Sequence, residues 1–131
     1  MRRWQKPGTT TKMRCMITGG SSMAYKRGDV VLVPFPFRDR STTRVRPAVV
    51  ISEETYNQHG DIIVAAITTH PPRFPSDYQL VDWQAAKLVA PSVVRIQLAT
   101  IFELRVVHGI GNLSSVDLKE VEARLKQVLG L

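Results

Sequence analysis

Apolar positions in this chain come in short runs separated by polar or Pro/Gly-rich breaks, a pattern of strands more than of helices. It predicts strands at 29–34, 46–52, 61–69, 77–82, 92–97 and 104–109. Val30 to Val33 and Val49 to Ile51 are β-branched and apolar, which suits a pleated, half-buried surface. The run from Ile62 to Ile67 ends in Thr68 and Thr69, and His70-Pro71-Pro72 stops it because proline cannot continue a ladder. Residues 71–76 read as a Pro-rich loop, 53–57 as a single helical turn, and Gly109-Ile110-Gly111-Asn112 as a turn.

Only the last segment has helical period. Leu118, Val121, Leu125 and Val128 recur on one face, with Lys119, Glu120, Glu122, Arg124 and Lys126 on the other. Ser114 followed by Asp117 makes an acidic variant of the capping box, and Gly130 is placed to end the helix. Short strands with one terminal helix predict a mainly β (α+β) domain, a small curled sheet or barrel with the helix packed on it.

Composition divides the chain in two. Residues 1–22, with Thr9-Thr10-Thr11 and Gly19-Gly20-Ser21-Ser22, cannot bury enough surface to offset ordering entropy, and read as a disordered leader or a non-native extension. Met23 opens the body, 23–131, and is a candidate start residue. The net charge of +7 lies at the front: residues 1–27 hold seven basic groups and no acid, whereas 28–131 hold eleven of each sign. A basic domain for duplex nucleic acid is therefore not indicated. What stands out is local: Arg38, Arg40, Arg44 and Arg46 against Asp39. A cluster of guanidinium forks suits a phosphodiester.

Other classes fall away. The single cysteine, Cys15, allows no disulfide framework within one chain. No apolar run approaches the ~18 residues of a membrane span, and Arg2-Arg3 is not followed by a signal-like apolar core, so a reducing cytoplasm is the default. Gly-Lys-Ser/Thr phosphate loops, Gly-x-Gly-x-x-Gly and Gly-x-Ser-x-Gly are missing, and His59, His70 and His108 lack metal-ligand spacing, so no metal or cofactor is expected.

Several residues carry candidate chemistry, each beside a plainer reading. Pro47 biases Arg46 to extended geometry, aiming a guanidinium at a phosphate; an edge-strand Arg paired to an acid would look the same. Thr68 and Thr69 could hydrogen-bond a phosphate or a 2′-hydroxyl at the sheet's mouth, or simply cap a strand. His70 shares the Thr68 face if the strand persists, and is the fallback acid or base; a surface His beside Pro-Pro is the ordinary alternative. Phe35, Phe37, Phe74 and Trp83 could stack on bases or fill the core.

Gly28-Asp29-Val30-Val31, Pro34-Phe35-Pro36-Phe37, Arg46-Pro47-Ala48-Val49-Val50-Ile51-Ser52 and Val64-Ala65-Ala66-Ile67-Thr68 together resemble the MazF/PemK toxins. Ser92-Val93-Val94-Arg95, Leu98-Ala99-Thr100 and the late Gly-x-Leu-Ser point to the PemK-like branch. The resemblance spans 24–131. It implies a small SH3-like β-barrel with a C-terminal helix, of the MazF/PemK/CcdB kind, acting as a homodimer. It also implies a toxin of a type II toxin–antitoxin module: a metal-independent endoribonuclease that cuts single-stranded RNA by 2′-hydroxyl attack, with no cofactor.

By position the family's catalytic Arg falls on Arg46 and its catalytic Thr on Thr68, with an RNA-touching loop Ser near Ser41. RNA contacts then extend to Arg38, Arg40, Arg44, Thr69 and His70. Implied partners are single-stranded RNA and a cognate antitoxin, with operator DNA reached only through the antitoxin, and no membrane. The chain departs from many relatives at Ile96-Gln97, at Ala99-Thr100 and in lacking Gly in the 38–45 loop, so base preference is not carried over. A gyrase-poisoning toxin of related fold, or a binding module that has lost catalysis, is the alternative.

Overall fold

The computed structural model describes residues 24–36 and 44–131. Among the described residues six strands and two helices follow in order: β1 Asp29–Phe35, β2 Arg44–Val50, α1 Glu54–Asn57, β3 Asp61–Thr68, β4 Tyr78–Gln79, β5 Val93–Phe102, a 3-10 turn Glu103–Arg105, β6 His108–Asn112 and α2 Ser115–Leu129. The strands form one curled sheet in the order β4-β5-β3-β2-β1-β6, with every pairing antiparallel. The mainly β fold with a C-terminal helix is as expected.

Period-two alternation gives the sheet two apolar faces. One carries Val30, Val49, Ala65, Ile67, Tyr78, Leu80 and Val94, and α2 lies on it through Val121, with Leu118 and Leu125 packed alongside. The other carries Val31, Val33, Phe35, Ala48, Val50, Ile62, Val64, Ala66 and Ile101. Phe35 is therefore a core residue, not a base-stacking one.

The C-terminal helix is terminated as predicted, with Gly130 left-handed at φ 73°. Its start differs. Ser114 Oγ accepts from Asp117 N (3.2 Å), but the Asp117 carboxylate does not reach back. It is buried and accepts from Tyr78 Oη (2.7 Å), Val81 N (3.0 Å) and Asp82 N (2.8 Å). Those two amides belong to residues expected in the 77–82 strand. Pairing there stops after Gln79 because the chain turns to satisfy its donors on the helix instead. Burial, followed by the Asp117 hydrogen bond and charge, pushes the Tyr78 hydroxyl well above its ordinary value. On the helix face, Val128 is half exposed, whereas Arg124 is drawn in and donates to Asp77 O (2.7 Å) and Pro75 O (3.2 Å).

The end of the sheet departs furthest from the expected pattern. Residues 103–105 form a 3-10 turn where a strand was expected, and Gly109 to Asn112 belong to β6 where a turn was expected. β6 pairs with β1, Val30 opposite Gly111 and Val31 opposite Gly109, with an irregularity between Val30 and Val31. Gly111 is a close-approach glycine: a Cβ there would sit 2.5 Å from Ala86 O. β5 also runs past the expected 97, because the register shift between Ala65 and Ala66 lets it absorb Ile96 and Gln97 and pair on to Asp61↔Phe102.

Gly111→Ala should cost about 1–3 kcal/mol through forced separation of β6 from residue 86. Gly109→Ala, with nothing near its would-be Cβ, should be neutral or slightly stabilising. Urea denaturation of the two variants checks the contrast, and equal effects would refute the close-approach account.

Candidate functional site

The end of the sheet that holds the candidate residues is organised by backbone parity along β2. Val50 O accepts from Gly28 N on the β1 side (2.8 Å), and Ile51 N donates to Ile63 O on the β3 side (2.8 Å). Backbone groups alternate sides along a strand, so odd positions of β2 address β3. Position 47 is one of them, and Pro47 has no N–H to give. The paired register of β2 with β3 runs Val50↔Val64, Val49↔Ala65, Ala48↔Ala66 and ends there. Arg46 stays paired to β1 opposite Val33.

Carrying that register two positions further sets Arg46 across from Thr68, the last residue of β3. Both side chains then lie on the sheet face that carries Ala48 and Ala66, away from α2. Both are half-buried. β2 is an inner strand, so Arg46 is not the edge-strand Arg of the plainer reading. Among the described residues its guanidinium has no acid partner, hydrogen bond or ring contact.

Thr68 Oγ1 accepts from His70 N (3.2 Å), so the strand turns out at this point. Thr69 and His70 lie past the strand end and are exposed, and His70 does not continue the Thr68 face as a strand residue would. Arg44 is exposed at the start of β2, opposite Phe35. Arg38, Arg40 and Ser41, like Phe37 and the leader 1–22, lie outside the described residues. Among the described residues no three His, Cys, Asp or Glu side chains converge as a metal site requires.

One residue was missed. Arg95 on β5 stands opposite Ala66, on the Arg46–Thr68 face, and its Nη2 lies 3.2 Å from Asp77 Oδ2. The Asp77 side chain is fully buried, and that same Oδ2 also accepts from Arg73 N (2.8 Å) and Phe74 N (3.2 Å). Burial alone would raise the Asp77 carboxyl; the two amides and the Arg95 guanidinium outweigh it and hold it below its ordinary value of 3.8. The available signal was a lone Arg in an apolar strand with an Asp fifteen or more residues earlier, which does not identify a pair.

The fold defines a class first: one curled antiparallel sheet, apolar on both faces, with a single C-terminal helix against one of them. The chain belongs to the family of PemK-like, MazF-like toxins of type II toxin–antitoxin systems, whose model matches residues 26–129. Solved structures share the fold. An endoribonuclease in complex with its cognate antitoxin from a mycobacterial species is similar at TM-score 0.68 and 17% identity, over 82% of this chain and 97% of that one. MazF from Deinococcus radiodurans is similar at TM-score 0.67 and 22% identity, over 84% and 100%. Toxin MazF-mt6 from Mycobacterium tuberculosis is similar at TM-score 0.64 and 21% identity, over 79% and 97%. No curated protein matches the chain at a significant level.

Because the folded chain favours the charged Asp77, its contribution to stability is full above the ordinary carboxylate value and is lost as pH falls through the lower folded one. Asp77→Asn should lower stability by roughly 1–3 kcal/mol at neutral pH, leaving Arg95 without its carboxylate, and should flatten the acid limb of the stability curve. Denaturant unfolding as a function of pH measures both. An acid limb unchanged in the variant would remove Asp77 from that role.

Proposed function

We propose that this toxin is a metal-independent endoribonuclease that cuts single-stranded RNA. What supports this is the register of β2 with β3: carried past Ala48↔Ala66, where the ladder ends, it sets Arg46 across from Thr68, and among the described residues Arg46 has no acid partner. In the reaction the 2′-hydroxyl oxygen bonds to the adjacent phosphorus and gives up its proton, while the bond to the 5′-oxygen breaks and that oxygen takes a proton. The products are a 2′,3′-cyclic phosphate and a 5′-hydroxyl.

The chemistry asks for donors around a phosphorane whose charge grows. Arg46 supplies a planar fork that stays protonated, so it acts as an electrostatic stabiliser and not as a base. Thr68 Oγ1 already accepts from His70 N, which leaves its own proton for a phosphate oxygen or the 2′-hydroxyl. Arg44, Arg38, Arg40, Ser41, Thr69 and His70 are proposed as RNA contacts around that pair, with His70 the group to test for proton transfer. The working unit is 23–131, acting as a homodimer in the cytoplasm. It is restrained by a cognate antitoxin whose acidic segment competes with RNA for the arginines, and operator DNA is reached only through that antitoxin.

Arg46→Ala should lower the cleavage rate roughly 10²–10³-fold with the fold intact, since the side chain has no partner to lose among the described residues. Arg46→Lys should restore little, and Thr68→Ser should keep most of the activity that Thr68→Ala loses. A gel assay on mixed-sequence RNA in chelator reads all four. A toxin that works by binding alone needs neither side chain for cleavage, and wild-type rates in Arg46→Ala would end this proposal.

A further inference from the structure

Phe74 sits in the Pro-rich turn beyond Thr68 with 53% of its surface exposed. Two guanidiniums address its ring, Arg73 at 5.7 Å and Arg95 at 5.9 Å from the centroid. The turn that presents it is held firmly. The Asp77 carboxylate takes the amides of Arg73 and Phe74, and Arg124 of α2 takes the carbonyls of Pro75 and Asp77. The ring thus stands on an anchored turn, open to solvent and bracketed by two cations, so it presents an apolar surface beside positive charge.

The position fits the reading of Arg46 and Thr68, on which this inference rests. Arg95 faces Ala66 on the same side of the sheet as Thr68, two residues further along β3. Diagonal neighbours on one face are about 7–8 Å apart. Arg95 is pinned by Asp77, while Arg73 is an exposed loop side chain with no acid partner among the described residues. Arg73 can therefore leave the ring to contact a phosphate, and Arg95 cannot.

We propose that Phe74 is the stacking platform for an unpaired base next to the cleaved phosphate, flanked by Arg73 and Arg95. A base in a duplex is already stacked and cannot use it, so the platform selects single strands. Stacking accepts any base, so the platform sets affinity and not sequence.

Full-length wild type, Phe74→Ala, Phe74→Leu and Phe74→Trp are compared on one short unstructured RNA, and on its 2′-O-methyl form for equilibrium binding. Phe74→Ala should raise KM and weaken binding roughly five- to a hundred-fold, the loss of one base–aromatic stack, with kcat nearly unchanged. Phe74→Trp should retain wild-type affinity, and Phe74→Leu should resemble Ala. Unchanged KM and binding in Phe74→Ala, or full rescue by Leu, would overturn the platform while leaving the ribonuclease reading in place. A variant that loses only affinity for an acidic, Trp-bearing peptide would assign the ring to a protein partner and overturn it equally. Wild type that neither binds nor cuts the RNA would defeat both readings.

Discussion

Backbone groups at odd positions of β2 face β3, and at position 47 the chain has no N–H to offer. A missing ladder donor inside a sheet normally argues against an inner strand. Here it comes at the end of the shared ladder, after Ala48↔Ala66, so the strands can part without stranding a buried amide. Proline also keeps Arg46 extended, and Arg46 stays in register with Val33 on β1. The backbone of Arg46 is thus held at the point where the β2–β3 ladder ends, and in the proposed reaction its side chain is the donor that meets the charge developing on a phosphate.

The rest of the molecule supports that end of the sheet from behind. The two faces divide the work: α2 covers one, and Arg46, Thr68 and Arg95 stand on the other. The segment from Pro75 to Asp82 ties them together. Asp117 and Arg124 on the helix take its polar groups at Val81, Asp82, Pro75 and Asp77, and Asp77 turns its carboxylate to Arg95. The helix is thus linked to the opposite face through hydrogen bonds to a short loop. The register shift in β5 at Ile96-Gln97 lets Arg95 face Ala66 while the strand still pairs along the length of β3.

What could be read from the sequence follows from how local each signal is. β1, β2 and β3 are apolar β-branched runs ended by turn residues, and their patterns carry their own evidence. The terminal helix has its period, its Ser114 cap and its Gly130 stop within seventeen residues. Pro47 and the end of an apolar run mark the places of Arg46 and Thr68 locally, but the register that sets the two positions opposite one another comes only from the fold. Asp117 was not legible: its place in a capping motif suggested a local bond, and a long-range one to residues 78–82 took precedence. Gly109-Ile110-Gly111-Asn112 reads as a turn because the close approach of Gly111 to Ala86 leaves no trace near it in sequence. The Arg95–Asp77 pair was invisible for the same reason, since it exists only once β4 lies beside β5.

The most direct test of a 2′-hydroxyl mechanism at the Arg46–Thr68 gap is the chemistry of the cut ends. The purified protein is incubated in chelator with a defined RNA, and with the same RNA carrying one 2′-deoxyribose at the mapped cut, and the products are weighed by mass spectrometry. The account predicts a 2′,3′-cyclic phosphate and a 5′-hydroxyl from the first RNA, and an uncut bond at the deoxy position in the second. A 3′-hydroxyl with a 5′-phosphate, or cleavage beside the deoxyribose, would contradict it.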